Sequence, residues 1–400
     1  MKAILKMLTL FVAGFSLPMD ASEGLSNEEA QVFLEHLWED HQQMLRKKRS
    51  EEMEEKRIKI GEHTMRFVSK DYGNKPIDGW SLFISLHGGG GAPAAVNESQ
   101  WNNQFRLGDA YMPKNAIYLA PRAPTNTWNL WHEAHIDQFL DRLIENHVAL
   151  EDVNPDSVFL MGYSAGGDGV YQLAPRMADR LAGAAMMAGH PNEASPLGLR
   201  NIAFAIHVGE HDGGYNRNSV AKEWAEKLEA LRSADNRGYE TQIQIHDNKG
   251  HWMDLQDRVA VPWLQKFVRN PVPKRVVWQQ DDVVHERFYW LALPAGMAKK
   301  GQHVTASIEG QIISIEKVDK VDRFLVRLND EMLDLDKPIT VVSVDGSTLF
   351  EGKVVRLRET AKRTFATRRD KALTFFAELL INLEANKAMQ TTSLHDAPDL

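Results

Sequence analysis

Short apolar runs, each bounded by turn residues, recur along the first two thirds of the chain. Residues 57–60 and 64–69 read as two strands of a hairpin turned at Gly61-Glu62. Residues 80–86, 116–120, 157–161, 181–187, 202–208 and 241–245 read as further strands, because each run is short and apolar and ends at glycine, proline or polar residues. Between them, residues 136–146 (apolar at Ile136, Phe139, Leu140 and Leu143), 168–181 and 220–231 carry helical spacing. Strands without a polar face that alternate with helices predict an α/β architecture, a mostly parallel sheet covered by helices on both faces.

The flanks follow different patterns. Ser26-Asn27-Glu28-Glu29 is a capping box, and it predicts a long charged helix within residues 23–56. Val32, Phe33, Leu34, Leu37, Trp38, Met44 and Leu45 would form its apolar face, while the mixed charges of residues 46–57 predict a solvated one. Asn270-Pro271-Val272-Pro273-Lys274 reads as a linker that closes a unit of residues 57–270. Residues 275–357 then become β-rich, with turns at Glu309-Gly310 and Asp345-Gly346, and predict a small antiparallel domain over residues 275–383. Residues 359–369 should be helical. The period of residues 374–383 fits strand or helix, and residues 384–400 read as a disordered tail.

At the other end, Lys2 and Lys6 precede an apolar run of residues 7–17, followed by Ala21 and Ser22. This is the layout of a secretory signal peptide over residues 1–22, so the expected location is periplasmic or extracellular. No later run reaches the ~18 apolar residues of a membrane span.

Composition narrows the chemistry. A formal net charge of −8 argues against a nucleic-acid partner, and the absence of cysteine removes disulfides, thiolate metal sites and a cysteine nucleophile. The most informative stretch is Gly162-Tyr163-Ser164-Ala165-Gly166, which lies between an apolar strand and a helix-compatible segment. This is the pattern of a nucleophile elbow, in which small neighbours let a serine stand at the tip of a strained turn. A serine nucleophile needs a base, an acid to orient the base, and donors for an oxyanion. His251 follows the last predicted strand through a short loop, and His246 is its competitor at the strand end. Asp212 stands in a Gly-flanked loop past the strand of residues 202–208, with Glu210 and Asp247 as alternatives. Asp168, on the helix after the elbow, is expected to cap or pair locally. His87-Gly88-Gly89-Gly90-Gly91 offers backbone N–H groups that no Cβ obstructs, and Ala165 N–H would complete the set. A nucleotide loop is disfavoured because no Gly-Lys-Ser/Thr follows. His132-Glu133-Ala134-His135 is one residue short of a zinc-binding His-Glu-x-x-His. No metal or cofactor is therefore expected.

These motifs together resemble the α/β-hydrolase superfamily, over about residues 57–270. Within it the chain is most similar to esterases of the polyhydroxybutyrate depolymerase/feruloyl-esterase-like and phospholipase/carboxylesterase groups. The resemblance implies a Ser164-Asp212-His251 triad and an oxyanion hole from Gly88, Gly89, Gly90 and Ala165. The chain departs from the dedicated polymer depolymerases in lacking cysteine, and the region after Lys274 matches no known substrate-binding module. The expected substrate is a small or oligomeric ester. Trp128, Trp131, His190 and Trp252 are candidate pocket residues, with core packing as the alternative for each tryptophan. A peptidase of the prolyl oligopeptidase type with the same machinery, or a non-enzymatic binding shell, remain open as other readings. Phe288, Tyr289 and Trp290 would favour the last if exposed. The oligomeric state is not legible.

Overall fold

The computed structural model describes residues 24–235 and 237–391; the expected signal peptide and the last residues of the expected tail lie outside them. Helix α1 (Asn27–Glu54) starts at the capping box: the Ser26 side chain accepts from Glu29 N–H at 3.2 Å, and Ser26 N–H donates to Glu29 Oε2 at 2.8 Å. Its buried face is Ala30, Leu34, His41, Leu45 and Met53, while Val32 is exposed. Nor is the charged end of α1 merely solvated. Arg49 and Glu52 reach a neighbouring helix, α3 (His135–Leu150), and bind its Glu145, Arg142 and Asn146.

Strand β1 (Arg57–Ile60) pairs with β2 (His63–Tyr72). Then follow β3 (Trp80–Leu86), α2 (Ala94–Tyr111), β4 (Ala116–Arg122), α3 (His135–Leu150), β5 (Val153–Tyr163), α4 (Ala165–Arg176), β6 (Gly183–Met187), β7 (Ala203–Gly209), α5 (Arg217–Ala234), β8 (Thr241–His246) and α6 (Ala260–Leu264). They form one eight-stranded sheet in the order β1-β2-β4-β3-β5-β6-β7-β8. The six strands from β4 to β8 run parallel, and β2 and β1 add antiparallel at one edge. Strands β4 and β7 are buried along their whole length, as their uninterrupted apolar sequences require in a sheet covered on both faces. The topology is that of the α/β-hydrolase fold. The chain steps outward from β3 to β4 and then back across to β5. The carboxyl ends of the adjacent strands β3 and β5 are therefore a topological switch point, where open parallel sheets form their ligand crevice.

After residue 270 come β9 (Arg275–Gln279), β10 (Arg287–Phe288), β11 (Leu291–Ala292), β12 (His303–Glu309), β13 (Ile312–Asp319), β14 (Arg323–Leu328), β15 (Ile339–Val342), β16 (Thr348–Gly352), α7 (Arg358–Arg368), β17 (Ala377–Asn382) and β18 (Lys387–Gln390). They form two five-stranded sheets, β10-β11-β14-β17-β18 and β16-β15-β13-β12-β9, and β13 and β15 pair in parallel, so the region is not one purely antiparallel sheet. Residues 387–390 are not a disordered tail: β18 pairs antiparallel with β17 and satisfies that strand's free edge. Phe288, Tyr289 and Trp290 are all buried, so they offer no binding face. One apolar cluster runs without interruption from Met53 and Leu82 through Phe204 to Trp278, Phe324 and Ile381, and the C-terminal sheets share their core with the large sheet. Among the described residues no helix is long and apolar enough to cross a membrane.

Candidate active site

Strand β5 ends in the Gly162–Gly166 turn. Ser164 sits at φ 59°, ψ −122°, a conformation that L-residues avoid and that persists only where the surroundings enforce it. The enforcement is steric. A Cβ on Gly162 would lie 2.3 Å from Gly166 O, and one on Gly166 would lie 2.0 Å from Leu86 O, the end of β3. Ser164 N–H donates to Met187 O of β6 at 2.9 Å, which ties the turn to the next strand.

Asp212 and His251 arrive from β7 and β8, which are neighbours in the sheet. His251 Nε2 lies 3.0 Å from Ser164 Oγ, and His251 Nδ1 lies 2.8 Å from Asp212 Oδ2. Asp212 is buried, while the His251 side chain is 45% exposed, so the imidazole faces the crevice and the carboxylate stands behind it. The two loops are clipped together. His211 N–H donates to Lys249 O at 2.7 Å and Glu210 N–H to His246 O at 3.0 Å. From beneath, Tyr163 OH donates to the backbone carbonyl of His251 at 2.6 Å and accepts from Met253 N–H at 3.1 Å. The elbow residue before the serine thus fixes the height of the base.

The competitors fall elsewhere. His246 is buried and stacks on His207 at 3.1 Å between ring nitrogens, and Glu210 binds Asn248 N–H at 2.9 Å. Asp168 accepts from His190 N–H at 2.6 Å. Burial pushes its carboxyl up to about 6, against the opposing pull of that N–H, Arg217 and His251.

The Gly-rich loop follows β3. A Cβ on Gly88 would lie 3.2 Å from the Ser164 Cβ, so the loop is in contact with the elbow. His87 anchors it: Nδ1–H donates to Gly88 O at 2.6 Å and Nε2 accepts from Ala123 N–H at 3.1 Å. Those two bonds require the neutral ring, and burial holds its pKa down to about 4. Trp131 Nε1–H donates to His87 O at 2.9 Å. The N–H groups of Gly88, Gly89 and Ala165 have no protein acceptor among the described residues; Ala165 opens the first turn of α4 directly after Ser164, and Gly88 is in contact with Ser164 from the loop after β3. Gly90 does not belong with them. Its N–H donates to the buried Asn97 Oδ1 at 2.8 Å, so it fixes the loop and is not available to a ligand.

A cleft of about 610 Å³ opens beside Ser164, between the Gly-rich loop, α2 and the His251 loop. It is lined by Gly88, Gly89, Tyr163, Ser164, His251 and Trp252, and on the α2 side by Val96, Gln100, Asn103, Gln104, Arg106 and Leu107. Of the four candidate pocket residues only Trp252 lines it. Trp131 is fully buried and serves the core and His87. Trp128 is exposed, packs over Gly91 and against His132, and is not among the residues that line the cleft. His190 stands on the Asp168 side. Helix α2, the main wall, went unread in the sequence. Its signal was present in Val96, Gln100, Asn103 and Leu107, which recur at three- and four-residue steps, but two of the four are amides.

No family model and no curated protein matches the chain. Among solved structures it is similar to a thermostable esterase, with 17% identity over 53% of this chain and 62% of that one at a TM-score of 0.39. It is also similar to the *Bacillus cereus* carboxylesterase (16% identity, 50% and 94% of the two chains, TM-score 0.37). A third likeness is to the feruloyl esterase module from *Clostridium thermocellum* complexed with sinapinate (13%, 51% and 88%, TM-score 0.34). The chain spans less than two thirds of the first of these.

Proposed function

We propose that this chain is an exported serine hydrolase that cleaves carboxylic esters through an acyl-enzyme. The observation that carries the proposal is the continuous chain Asp212 Oδ2, His251 Nδ1, His251 Nε2, Ser164 Oγ, with links of 2.8 and 3.0 Å, at a strained elbow on the sheet's switch point. Ser164 Oγ attacks the ester carbonyl while His251 Nε2 takes its proton. The buried Asp212 carboxylate holds the Nδ1–H tautomer and stabilises the imidazolium. The free N–H groups of Gly88 or Gly89 and of Ala165 receive the oxyanion, and such a donor is worth about 10²–10³ in rate. His251 then returns the proton to the leaving alcohol, and water deacylates Ser164 by the same route. Export rests on the N-terminal segment alone.

An ester is favoured over a peptide because, among the described residues, no carboxylate lines the cleft to receive a substrate's N-terminal ammonium. Hydrolysis of p-nitrophenyl acetate and butyrate, beside an aminoacyl p-nitroanilide panel, tests the proposal. Ester turnover that is lost in Ser164→Ala, by on the order of 10⁶ as in other serine hydrolases, is the expected result. Turnover of anilides with inert esters would move the assignment to a peptidase. Inertness of both would remove the enzymatic reading.

A further inference from the structure

The cleft is large for a short acyl chain, and its polar groups are distributed unevenly. Gln100 stands nearest the chemistry, its Oε1 lying 3.5 Å from the position of a Cβ on Gly88. Asn103 is one helical turn further along α2, and Arg106 is six residues beyond Gln100, about 9 Å along the helix axis at 1.5 Å per residue. None of these three side chains hydrogen-bonds or ion-pairs with another group among the described residues. The neighbouring polar residues are spoken for: Gln104 binds Ser85 at 2.7 Å, Asp109 binds Lys70 at 2.5 Å, and Glu98 binds Arg66 at 2.6 Å. Among the described residues Arg106 is the only permanently charged side chain that lines the cleft, and no Asp or Glu lines it. In a chain of net charge −8, a lining with one unpaired cation and no carboxylate marks the sign of what it accommodates.

The geometry points to an acyl group that ends in a carboxylate. This rests on the ester-hydrolase reading of Ser164. The ester carbonyl sits between Ser164 and the Gly88 and Ala165 N–H groups. The acyl chain runs along α2 towards Leu107, with the Gln100 and Asn103 amides beside it, and the distal carboxylate meets the Arg106 guanidinium. Gln100 and Arg106 stand about 9 Å apart along the helix axis, and a chain of roughly six to eight carbons has that length, which sets the scale of the substrate to test. Guanidinium and carboxylate form charge-assisted, often bidentate hydrogen bonds, which a neutral chain of equal length cannot make.

The test compares mono-p-nitrophenyl suberate with its methyl-capped twin, methyl p-nitrophenyl suberate. Chain length and leaving group are the same, and only the distal charge differs. In the wild-type protein at low salt, kcat/KM for the free acid should exceed that for the cap by about two- to fivefold, because the Arg106 side chain is exposed to water. Added salt should narrow the ratio. Arg106→Gln should bring the ratio to one or below, and Arg106→Lys should keep part of it. The ratio within one variant cancels any general loss of active protein. A wild-type ratio of one or less, or a ratio that Arg106→Gln leaves unchanged, overturns the inference. So does a carboxylate preference confined to the alcohol side, measured as 4-acetoxybenzoate against its methyl ester. If p-nitrophenyl acetate shows no Ser164-dependent hydrolysis, the hydrolase reading itself fails. If acetate is hydrolysed and the suberate ratio is flat, only the assignment of Arg106 fails.

Discussion

Asp370→Asn tests how the C-terminal sheets hold the sheet that carries the site. Asp370 follows α7 and is buried, yet it faces two arginines of the large-sheet region. Its Oδ2 lies 2.7 Å from Arg269 Nη1 and 3.2 Å from Arg180 Nη1, and its Oδ1 accepts from Ala372 N–H at 3.0 Å. Burial pushes the Asp370 carboxyl up, but Arg269 and Arg180 outweigh it and hold it below the usual carboxylate range. Nearby, Arg368 of α7 reaches Asp179, the turn after α4, at 3.0 Å through Nε. The same substitution would do little on the surface. Here it removes one charge from a cluster that water cannot reach, and the arginines stay buried without it. Breaking a buried pair from one side costs about 3–5 kcal/mol. The lower end applies, because Arg269 keeps Asp156 at 2.8 Å and Arg180 keeps Asp141 at 3.1 Å. With a urea slope of about 3 kcal/mol per M, a loss of about 3 kcal/mol lowers the unfolding midpoint by about 1 M. Tryptophan fluorescence reads it. Asp109→Asn, which breaks the exposed pair with Lys70, is the control and should leave the midpoint in place. A shift of Asp370→Asn no larger than that of the control would refute the reasoning, and with it the view that these sheets brace the catalytic one.

Gly166→Ala should abolish ester turnover or folding, since its Cβ would lie 2.0 Å from Leu86 O; soluble, fully active protein would contradict the elbow geometry. Asp212→Asn should keep the fold but lower kcat by about 10⁴, because an amide favours the wrong imidazole tautomer; a loss below tenfold would pass the acid's role to another residue. Acid should destabilise the fold. Burial holds His87, His132, His147 and His303 neutral down to about 4 and His207 to about 3, while the unfolded chain protonates them near 6.5. The unfolded state thus binds more protons, so their contribution is full above about pH 6.5 and is lost as pH falls towards 4. Asp168, raised to about 6, and Asp257, also raised, act in the opposite sense but are outnumbered. Urea midpoints should fall between pH 7 and pH 4.5, and a flat or rising profile would contradict this.

The residues under steric constraint were the ones most legible in the sequence. An elbow tolerates only small neighbours at fixed positions, so Gly162, Ser164 and Gly166 announce themselves. The proposed acid and base follow the ends of apolar strands, so Asp212 and His251 fall where β7 and β8 place them. Partner choice was not legible. Four consecutive glycines look alike until Asn97, seven residues beyond Gly90, takes the Gly90 N–H. Trp128 and Trp131 lie three apart in one aromatic stretch, yet one is exposed and the other buried, a difference set by tertiary packing alone. Helix α2 hid because its inner face buries Asn97 and Gln104, polar residues that satisfy themselves on loops and strands distant in sequence. Residues 387–390 looked like a tail because their reason to be ordered is the free edge of β17, which no local pattern reveals.

The most direct test of the central claim is the intact mass of the protein after treatment with a fluorophosphonate, followed by peptide mapping, beside Ser164→Ala and His251→Ala. The predicted result is one adduct per chain, located on Ser164, absent from Ser164→Ala and formed far more slowly in His251→Ala. An unmodified wild-type protein, or an adduct that persists in Ser164→Ala, would contradict the assignment of Ser164 as a nucleophile activated by His251.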